Sequence, residues 1–375
     1  MLALLMSLSV VLAGCLGDED TTEESEETEE VTGMDASDRG YTYASNVDNH
    51  RSLMKDLCDM KDAASSDGGY DFALAKDIYM NGKNAEKSDG SYRTLYGFAS
   101  AEGKNHGYDT YYDDVGSVNT HIMAAMDGTG DFEGVSDTVR YQGIAKLTVN
   151  MGMVAYTIHE LNSAMAKADD GNIDNDSGAP HNWDEGWAFF HGPDEDYGCS
   201  PARVMEKRAA DFGTETEGVS NALTATEDAM VSGLAALQAG DSDGYNAATT
   251  TVMKNVVITY SQAVIKYTYK MDSNDSAAKY QAEGYAFWKA IEAYAAPHTN
   301  ACVHDDGNVT YVGNGDETTC GDNETFAGHY GADKINEILN LQDSSQLGTS
   351  YDVTAHLEHV WAHFGITSDD IGTYS

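Results

Sequence analysis

A short aromatic segment occurs twice in this chain, which indicates that part of the fold is duplicated. Residues Glu185–Phe190 read Glu-Gly-Trp-Ala-Phe-Phe, and Glu283–Trp288 read Glu-Gly-Tyr-Ala-Phe-Trp. Upstream, Val154–Thr157 is matched by Ile265–Thr268, which also ends in Tyr-Thr. The two offsets are 111 and 98 residues, so the first copy holds 13 extra residues, which we predict to form an inserted loop in or near Asp169–His181. Two helical hairpins related by duplication are expected, with a pocket between the two halves.

Apolar residues recur every three or four positions through most of the chain, as in amphipathic helices. The pattern is clearest from Val135 to Lys167, and the chain has only 4 prolines. We therefore predict an all-α fold of two tandem four-helix-type bundles with long loops, at residues 41–212 and 213–375, and no sheet. Similar patterns predict helices over residues 47–64, 71–80, 201–212, 217–239, 245–271, 277–295, 332–341 and 352–364.

The N-terminal segment has the features of a bacterial-type lipoprotein signal. Residues 1–14 carry no charge and end in Leu-Ala-Gly directly before Cys15. This run is shorter than the roughly 20 residues that a permanent membrane helix needs. We predict a signal peptide at 1–14, lipidation of Cys15 and a disordered acidic tether at 15–40, with the protein held on the extracellular face of the cell membrane.

The charge balance excludes one class of partner. The chain has 21 basic and 63 acidic residues and a formal net charge of −42. Such a field repels phosphate backbones and attracts cations, so nucleic acid is not expected as a partner.

Four cysteines remain after Cys15: Cys58, Cys199, Cys302 and Cys320. Outside the cytoplasm they are expected to form two disulfides. Cys302 with Cys320 would close one loop and leave Cys58 with Cys199 as the longer link, although the sequence alone permits three pairings. Their spacings are too long for a typical zinc site.

Histidines and carboxylates gather near the first copy of the repeated segment, where a borderline-to-hard cation such as ferric iron would find imidazole and carboxylate ligands. Glu283 repeats one of these carboxylates in the second copy. The alternative is that a glutamate near a helix start only complements the helix dipole, beside aromatic residues of the core. The candidate metal ligands are His159, Glu160, His181, Asp184 and Glu185.

The last predicted helix carries His356, His359 and His363 on one face, at spacings of three and four residues. Two of these imidazoles could hold one metal, but a partly buried, hydrogen-bonded face is the alternative interpretation. Tyr108, Tyr111 and Tyr112 offer phenolates that suit ferric iron, but an ordinary solvated loop explains the same residues and is the favoured interpretation. No hydrolase or phosphate-loop motif occurs, so no enzyme activity is expected.

Three segments resemble the low-iron-inducible periplasmic proteins, also called iron-assimilation proteins or phytotransferrins: Tyr79–Ala99, His181–Phe189 and Gly365–Tyr374. The resemblance implies capture of ferric iron at the cell surface, with carbonate as a candidate partner anion and without catalysis. It names His181, Asp184 and Glu185 as site residues and Arg93 as the counter-charge of the anion.

The lipid anchor adds a membrane iron transporter as an expected partner. A more distant likeness in architecture is to imelysin-like surface proteins, whose Gly-x-His-x-x-Glu signature this chain lacks. The alternative function is a structural or adhesive surface lipoprotein with no metal site.

Overall fold

Helices form in the ranges that the apolar periodicity predicts, which confirms the all-α fold class, and further helices that it did not predict include Gly107–Tyr112 and Ser117–Asp127. The structure is a computed structural model that describes residues 37–375. The predicted signal peptide at 1–14, Cys15 and residues 15–36 of the predicted tether lie outside the described residues. Residues 37–40, the end of that predicted tether, belong to a small β-hairpin of β1 (Ser37–Asp38) and β2 (Tyr41–Thr42). No helix in the described part is long and apolar enough to span a membrane.

The helices are, in chain order, α1 (Asp48–Ala64), α2 (Phe72–Asn81), α3 (Leu95–Ala99), α4 (Gly107–Tyr112), α5 (Ser117–Asp127), α6 (Asp137–Lys146), α7 (Met153–Asp169), α8 (Ala179–Phe190), α9 (Pro201–Phe212), α10 (Asn221–Ala239), α11 (Ser242–Tyr269), α12 (Ala277–Lys289), α13 (Glu292–Ala295), α14 (Tyr330–Ile338), α15 (Thr354–His363) and α16 (Ser368–Ile371). Several begin at a side-chain cap: the Ser136 hydroxyl accepts a hydrogen bond from the Val139 amide at the start of α6. Such caps satisfy amides that the first helical turn leaves unpaired.

The helix predicted from Val135 to Lys167 is continuous but not uniform. A buried π-helical segment, Leu147–Gly152, joins α6 to α7. The Tyr260 hydroxyl donates to Asn150 Oδ1 across 3.0 Å, so α11 contacts this widened segment. A π-helical turn rotates the faces of the helix on either side of it, and apolar periodicity does not reveal it.

Both copies of the repeat are helical hairpins. Helix α7 packs against α8, and α11 packs against α12. The matched tyrosine contacts the matched phenylalanine in each copy: the ring centroids of Tyr156 and Phe189 are 5.5 Å apart, and those of Tyr267 and Phe287 are 5.4 Å apart. The duplication seen in the sequence is therefore also present in the packing.

The 13 extra residues of the first copy were predicted to form a loop, but most of them lie in a helix. Helix α7 continues for 13 residues beyond Tyr156 to Asp169, whereas α11 ends two residues beyond Tyr267 at Tyr269. Most of the insertion is therefore about three additional turns of helix. His159 and Glu160 lie in this extension.

Both hairpins bury a glycine at the closest approach of their helices. A Cβ atom added at Gly186 would lie 3.2 Å from Leu161 Cδ2 and 3.8 Å from Glu160 Cβ. One added at Gly284 would lie 2.8 Å from Leu339 Cδ2 and 3.4 Å from Tyr267 Cβ. The Glu-Gly pair of each copy thus lets α7 approach α8 and α11 approach α12 closely.

Helices of the two predicted halves share one hydrophobic core. Helix α8 packs on α10 and α12 packs on α6. The Trp183 indole donates to the Met230 carbonyl oxygen at 2.8 Å, and a Cβ at Gly233 would lie only 2.2 Å from its ring. The predicted boundary between residues 212 and 213 therefore runs through a shared core.

A small antiparallel sheet, which the sequence did not predict, lies between α13 and α14. Its strand order is β6 (Val309–Gly313), β5 (Asn300–His304), β7 (Glu324–Ala327). Strands of four and five residues in a segment rich in glycine, asparagine and aspartate are too short to give a clear alternating pattern. A two-residue pair, β3 (Glu215–Thr216) and β4 (Val219–Ser220), precedes α10.

Both disulfides form with the pairing considered first. Cys58 of α1 is bonded to Cys199, and Cys302 of β5 is bonded to Cys320. The first bridge spans 141 residues and the second 18.

Because a crosslink stabilises mainly by restricting the unfolded chain, the longer bridge is expected to contribute more. Replacing Cys58 and Cys199 together by alanine should lower the free energy of unfolding by about 5 kcal/mol, against about 3 kcal/mol for Cys302 and Cys320. Denaturant unfolding of the two double variants measures both. Equal losses, or the reverse order, would contradict this account.

Candidate functional site

The closely packed ends of α1, α7 and α8 bring imidazoles and carboxylates together. His50 lies on the apolar face of α1, Glu160 on α7, and His181 and Glu185 on α8. Glu160 is 3% and Glu185 is 8% exposed, so two carboxyl groups are buried in a protein of high negative charge. Buried carboxylates of this kind need partners.

Glu185 has two imidazole partners. Its Oε1 lies 2.9 Å from His50 Nε2 and 3.2 Å from His181 Nε2. The Asn182 amide donates to Glu160 Oε2 at 2.7 Å and to Glu185 Oε2 at 3.3 Å, and so links the two glutamates. This group of His50, Glu160, His181, Asn182 and Glu185 is called the Glu185 cluster below.

The two glutamates have opposite pKa shifts. Burial raises the pKa of Glu160 well above its ordinary value, and the neighbouring charge of Glu185 raises it further. Burial also acts on Glu185, but the charges and hydrogen bonds of His50 and His181 outweigh it and hold the pKa of Glu185 well below its usual range. Glu160 is therefore the protonated partner and Glu185 the ionised one.

The two imidazoles of the cluster have opposite pKa shifts. Burial lowers the pKa of His50 below 6.5, despite the opposing effect of Glu185. Burial also acts to lower the pKa of His181, but the hydrogen bond and charge of Glu185 prevail and raise it. The carboxylate of Glu185 therefore favours a proton on His181 more than on the more deeply buried His50.

Asp184 and Ser45 orient His181. Asp184 Oδ2 accepts hydrogen bonds from the backbone amides of Ala44 and Ser45, each at 2.8 Å, and Oδ1 accepts one from the Tyr41 hydroxyl at 2.5 Å. The Ser45 hydroxyl donates to Asp184 Oδ2 at 2.9 Å and so accepts from His181 Nδ1 at 2.8 Å. With Nδ1 protonated in this way, His181 Nε2 faces Glu185, which is the arrangement a metal-binding histidine needs.

A second imidazole pair adjoins the cluster. His106 Nε2 and His159 Nδ1 are 2.9 Å apart, and His159 Nε2 lies 4.0 Å from Glu160 Oε1. Burial lowers the pKa of His159 to about 4, with added repulsion from His106 and Lys104. His159 is therefore neutral at physiological pH and able to donate a lone pair.

Two cations stand beside these groups. Arg93 Nε donates to Asn49 Oδ1 at 2.7 Å, and the arginine charge contributes to the low pKa of His50. Lys104 Nζ lies 4.7 Å from the centroid of the Phe98 ring and acts on both His159 and Glu160. Arg93, the expected counter-charge of an anion, therefore lies next to the Glu185 cluster.

Glu283, the repeat counterpart of Glu185, has different neighbours. Its carboxylate lies 3.8 Å from Lys279 Nζ. Lys279 occupies the position that matches His181 at the offset of 98 residues, and His159 lies in the extension of α7 that the second copy lacks. The second copy keeps the acid and replaces the imidazole of His181 by an ammonium group.

The three histidines of α15 do not share one partner: the Tyr311 ring lies against both His356 and His359, whereas His363 contacts His298. His356 Nδ1 is hydrogen-bonded to the Tyr311 hydroxyl, and His359 lies beside Gly313 of β6. The ring of His363 stacks on that of His298, with centroids 3.5 Å apart. The structure therefore does not direct these imidazoles at one point.

The tyrosines considered as phenolate ligands belong to α4, a helix the sequence did not predict. Tyr108 is buried and donates to the Ala290 carbonyl oxygen at 2.6 Å. Tyr111 and Tyr112 donate to Glu292 at 3.1 and 2.6 Å. They contact α13 and its flanking residues instead of the Glu185 cluster.

Ligand spacing gives a stricter test of a preformed metal site. Within residues 37–375, ligand atoms from three His, Cys, Asp or Glu side chains lie within 4.8 Å of one another only at Cys302, Cys320 and Glu324. These two cysteines are disulfide-bonded. Around Glu185 the donors are paired with each other instead of surrounding a common centre. A metal ion would have to replace the contacts between the imidazoles and the carboxylate.

Two open clefts lie elsewhere. One of about 700 Å³ runs between α10 and α11 and is lined largely by alanines. The other, of about 330 Å³, lies beside α1 and includes Arg51 and Asn84. Neither is lined by the Glu185 cluster, whose side chains fill the space between their helices.

Sequence reasoning found Glu160, His181 and Glu185 but missed His50 and Asn182. His50 had one available signal, because it falls on the same helical face as the buried residues Leu53 and Leu57. Asn182 had none, since an amide linking two carboxylates is recognisable only once α7 and α8 are packed.

The raised pKa of His181 depends on Glu185, and substitution can test this. In Glu185→Gln the burial of His181 remains while the opposing charge is lost, so the His181 pKa should fall below 6.5. An NMR titration of the imidazole protons measures it. His191, which stacks on Trp187 and does not contact Glu185, is the internal control. An unchanged His181 pKa would show that Glu185 does not set it.

A family model described as low iron-inducible periplasmic protein matches residues 28–296. No curated protein and no solved structure matches the chain. The matched region contains the whole Glu185 cluster, together with His106, His159 and Arg93, and ends before α15. Because the match covers most of the chain, this protein belongs to the low iron-inducible periplasmic protein family.

Proposed function

We propose that this protein binds ferric iron for iron assimilation, and that the Glu185 cluster with His159 is the binding site. The observation that carries the proposal is the buried Glu185 carboxylate between two imidazoles, next to a second carboxyl group. The family name links these proteins to low iron and to the periplasm.

The donor chemistry fits iron. Carboxylate oxygens and imidazole nitrogens together suit iron and other transition metals, whereas magnesium and calcium prefer oxygen alone. The proton on Glu160 and the charge on His181 would be displaced by the ion, since ligands bind in their deprotonated forms. Two carboxylates then offset most of the charge of Fe³⁺.

An accompanying carbonate would be stabilised by Arg93 and Lys104. Both cations adjoin the cluster, and both act electrostatically on its members. Carbonate would supply further oxygen ligands while its own charge faces these side chains.

Iron titration of the apo protein, with and without bicarbonate, tests the proposal. Glu185→Gln should weaken iron binding by at least about 10-fold to 100-fold, because a charged ligand is replaced by a neutral amide. Glu283→Gln is the matched control, since it makes the same change at the repeat position and should leave iron affinity unchanged. No iron-dependent absorbance in either condition, or equal effects of the two substitutions, would exclude this site.

Surface attachment through Cys15 and delivery to a membrane transporter complete the proposal. The support is the apolar segment ending in Leu-Ala-Gly before Cys15. A lipid anchor would keep a binding protein within reach of its transporter.

Cys15→Ser should therefore abolish incorporation of labelled palmitate and move the protein from the detergent phase to the aqueous phase in detergent partitioning. Cys58→Ser, which removes a disulfide cysteine, is the control and should retain the label. Retained labelling of Cys15→Ser would show that another residue is modified.

A structural or adhesive role without metal is the second candidate. It is favoured by one observation, which is that His50, His181 and Asn182 already provide Glu185 with partners. Elemental analysis after purification from iron-containing medium separates the two, together with melting in the presence of a chelator. We favour binding over catalysis, because the cluster offers ligands and no activated nucleophile is evident within residues 37–375.

A further inference from the structure

The second copy of the repeat surrounds its glutamate with cations. Glu283 is 6% exposed and lies 3.8 Å from Lys279 Nζ. Lys146, at the end of α6, and Arg208, on α9, both lie over the ring of Phe287, at 6.0 and 5.9 Å from its centroid. Three cations from three helices therefore gather at one locus of a chain that has only 21 basic residues.

Arg208 has buried donors without partners. The side chain is 5% exposed, and Nη2 pairs with Asp211 Oδ2 at 2.8 Å. Its Nε and Nη1 form no well-aligned hydrogen bond among residues 37–375, and the nearest phenol to the guanidinium is that of Tyr267. A buried guanidinium nitrogen without a partner costs free energy. These N–H groups are therefore suited to donate hydrogen bonds to an anion from solution.

Lys146 has one nearby carboxylate and several nearby cations. Burial lowers its pKa to about 8; Glu283 opposes this shift, while Lys61, Lys207 and Arg208 add to it. The acidic groups facing the locus are Glu283 and Asp211, and Asp211 is already shared by Arg208 and Lys266. The locus therefore carries an excess of positive charge.

The glutamates of the two copies face different chemical groups. Around Phe189 the glutamate faces imidazoles, which can be neutral and can donate a lone pair to a metal. Around Phe287 it faces ammonium and guanidinium groups, which have no lone pair to donate when charged. The groups around Glu283 therefore favour an anion over a metal ion as a ligand.

We propose that Lys146, Arg208 and Lys279 form a binding site for one small oxyanion, of the class that includes phosphate, sulfate and bicarbonate. Arg208 donates from its unpartnered nitrogens, and the two lysines supply charge. This site is separate from the Glu185 cluster, and its occupancy does not require iron.

Isothermal titration of the full-length protein in its iron-free form tests the site, with inorganic phosphate, sulfate and bicarbonate in separate arms. One saturable site per chain is expected in at least one arm. Lys146→Gln and Arg208→Gln should each weaken binding about tenfold or more, because each removes a charged partner of the anion. Lys334→Gln, which removes an equal charge on α14, should have no effect.

A substitution that is expected to strengthen oxyanion binding distinguishes a specific effect from misfolding. Glu283→Gln removes the carboxylate that repels the anion and should tighten oxyanion binding severalfold, a gain that unfolding cannot produce. No saturable binding in any arm, an equal loss in Lys334→Gln, or weaker binding in Glu283→Gln would overturn the proposal.

Discussion

The close approach of α7 and α8 at Gly186 is the constraint on which the candidate site depends. A side chain at this position would meet Leu161 and the stem of Glu160. Without it, the two helices are near enough for one amide, Asn182, to reach both Glu160 and Glu185. Helix packing thus brings two carboxyl groups together. Their repulsion is reduced because the pKa of Glu160 is raised and because His50 and His181 contact Glu185.

In the second copy the same hairpin surrounds its glutamate with different charged groups. The glycine, the tyrosine and the phenylalanine are retained, and the two rings are in contact in both copies, at an interplanar angle of 60° in the first and 15° in the second. The groups around the glutamate differ, since Lys279 stands at the position of His181 and Arg208 lies nearby. Extension of α7 by about three turns added His159 and Glu160 to the first copy alone. Both copies therefore share the helical hairpin, while the charged groups around the two glutamates differ.

Features encoded over short stretches of sequence could be predicted, and those that depend on distant segments could not. Apolar periodicity located most of the helices, and the repeat located the hairpins. The π-helical turn at Leu147–Gly152 was missed because all six of its residues are buried, and apolar periodicity does not distinguish a widened turn from a regular one. The short strands β5 to β7 were missed because pairing between segments far apart in sequence defines them. For the site, residues near the repeated segment were found, whereas His50 comes from a helix more than 100 residues earlier and is brought in only by tertiary packing.

The bridge between Cys58 and Cys199 has a consequence for the biogenesis of the protein. Cys58 follows His50 by two turns on α1, so oxidation ties the helix that supplies this imidazole to the segment preceding α9. In a reducing compartment the tie is absent and α1 is held by packing alone. Outside the cytoplasm, where thiols are oxidised, the helix that carries His50 is therefore fixed covalently. In the reduced chain the contact between His50 and Glu185 depends only on the packing of α1 against α8.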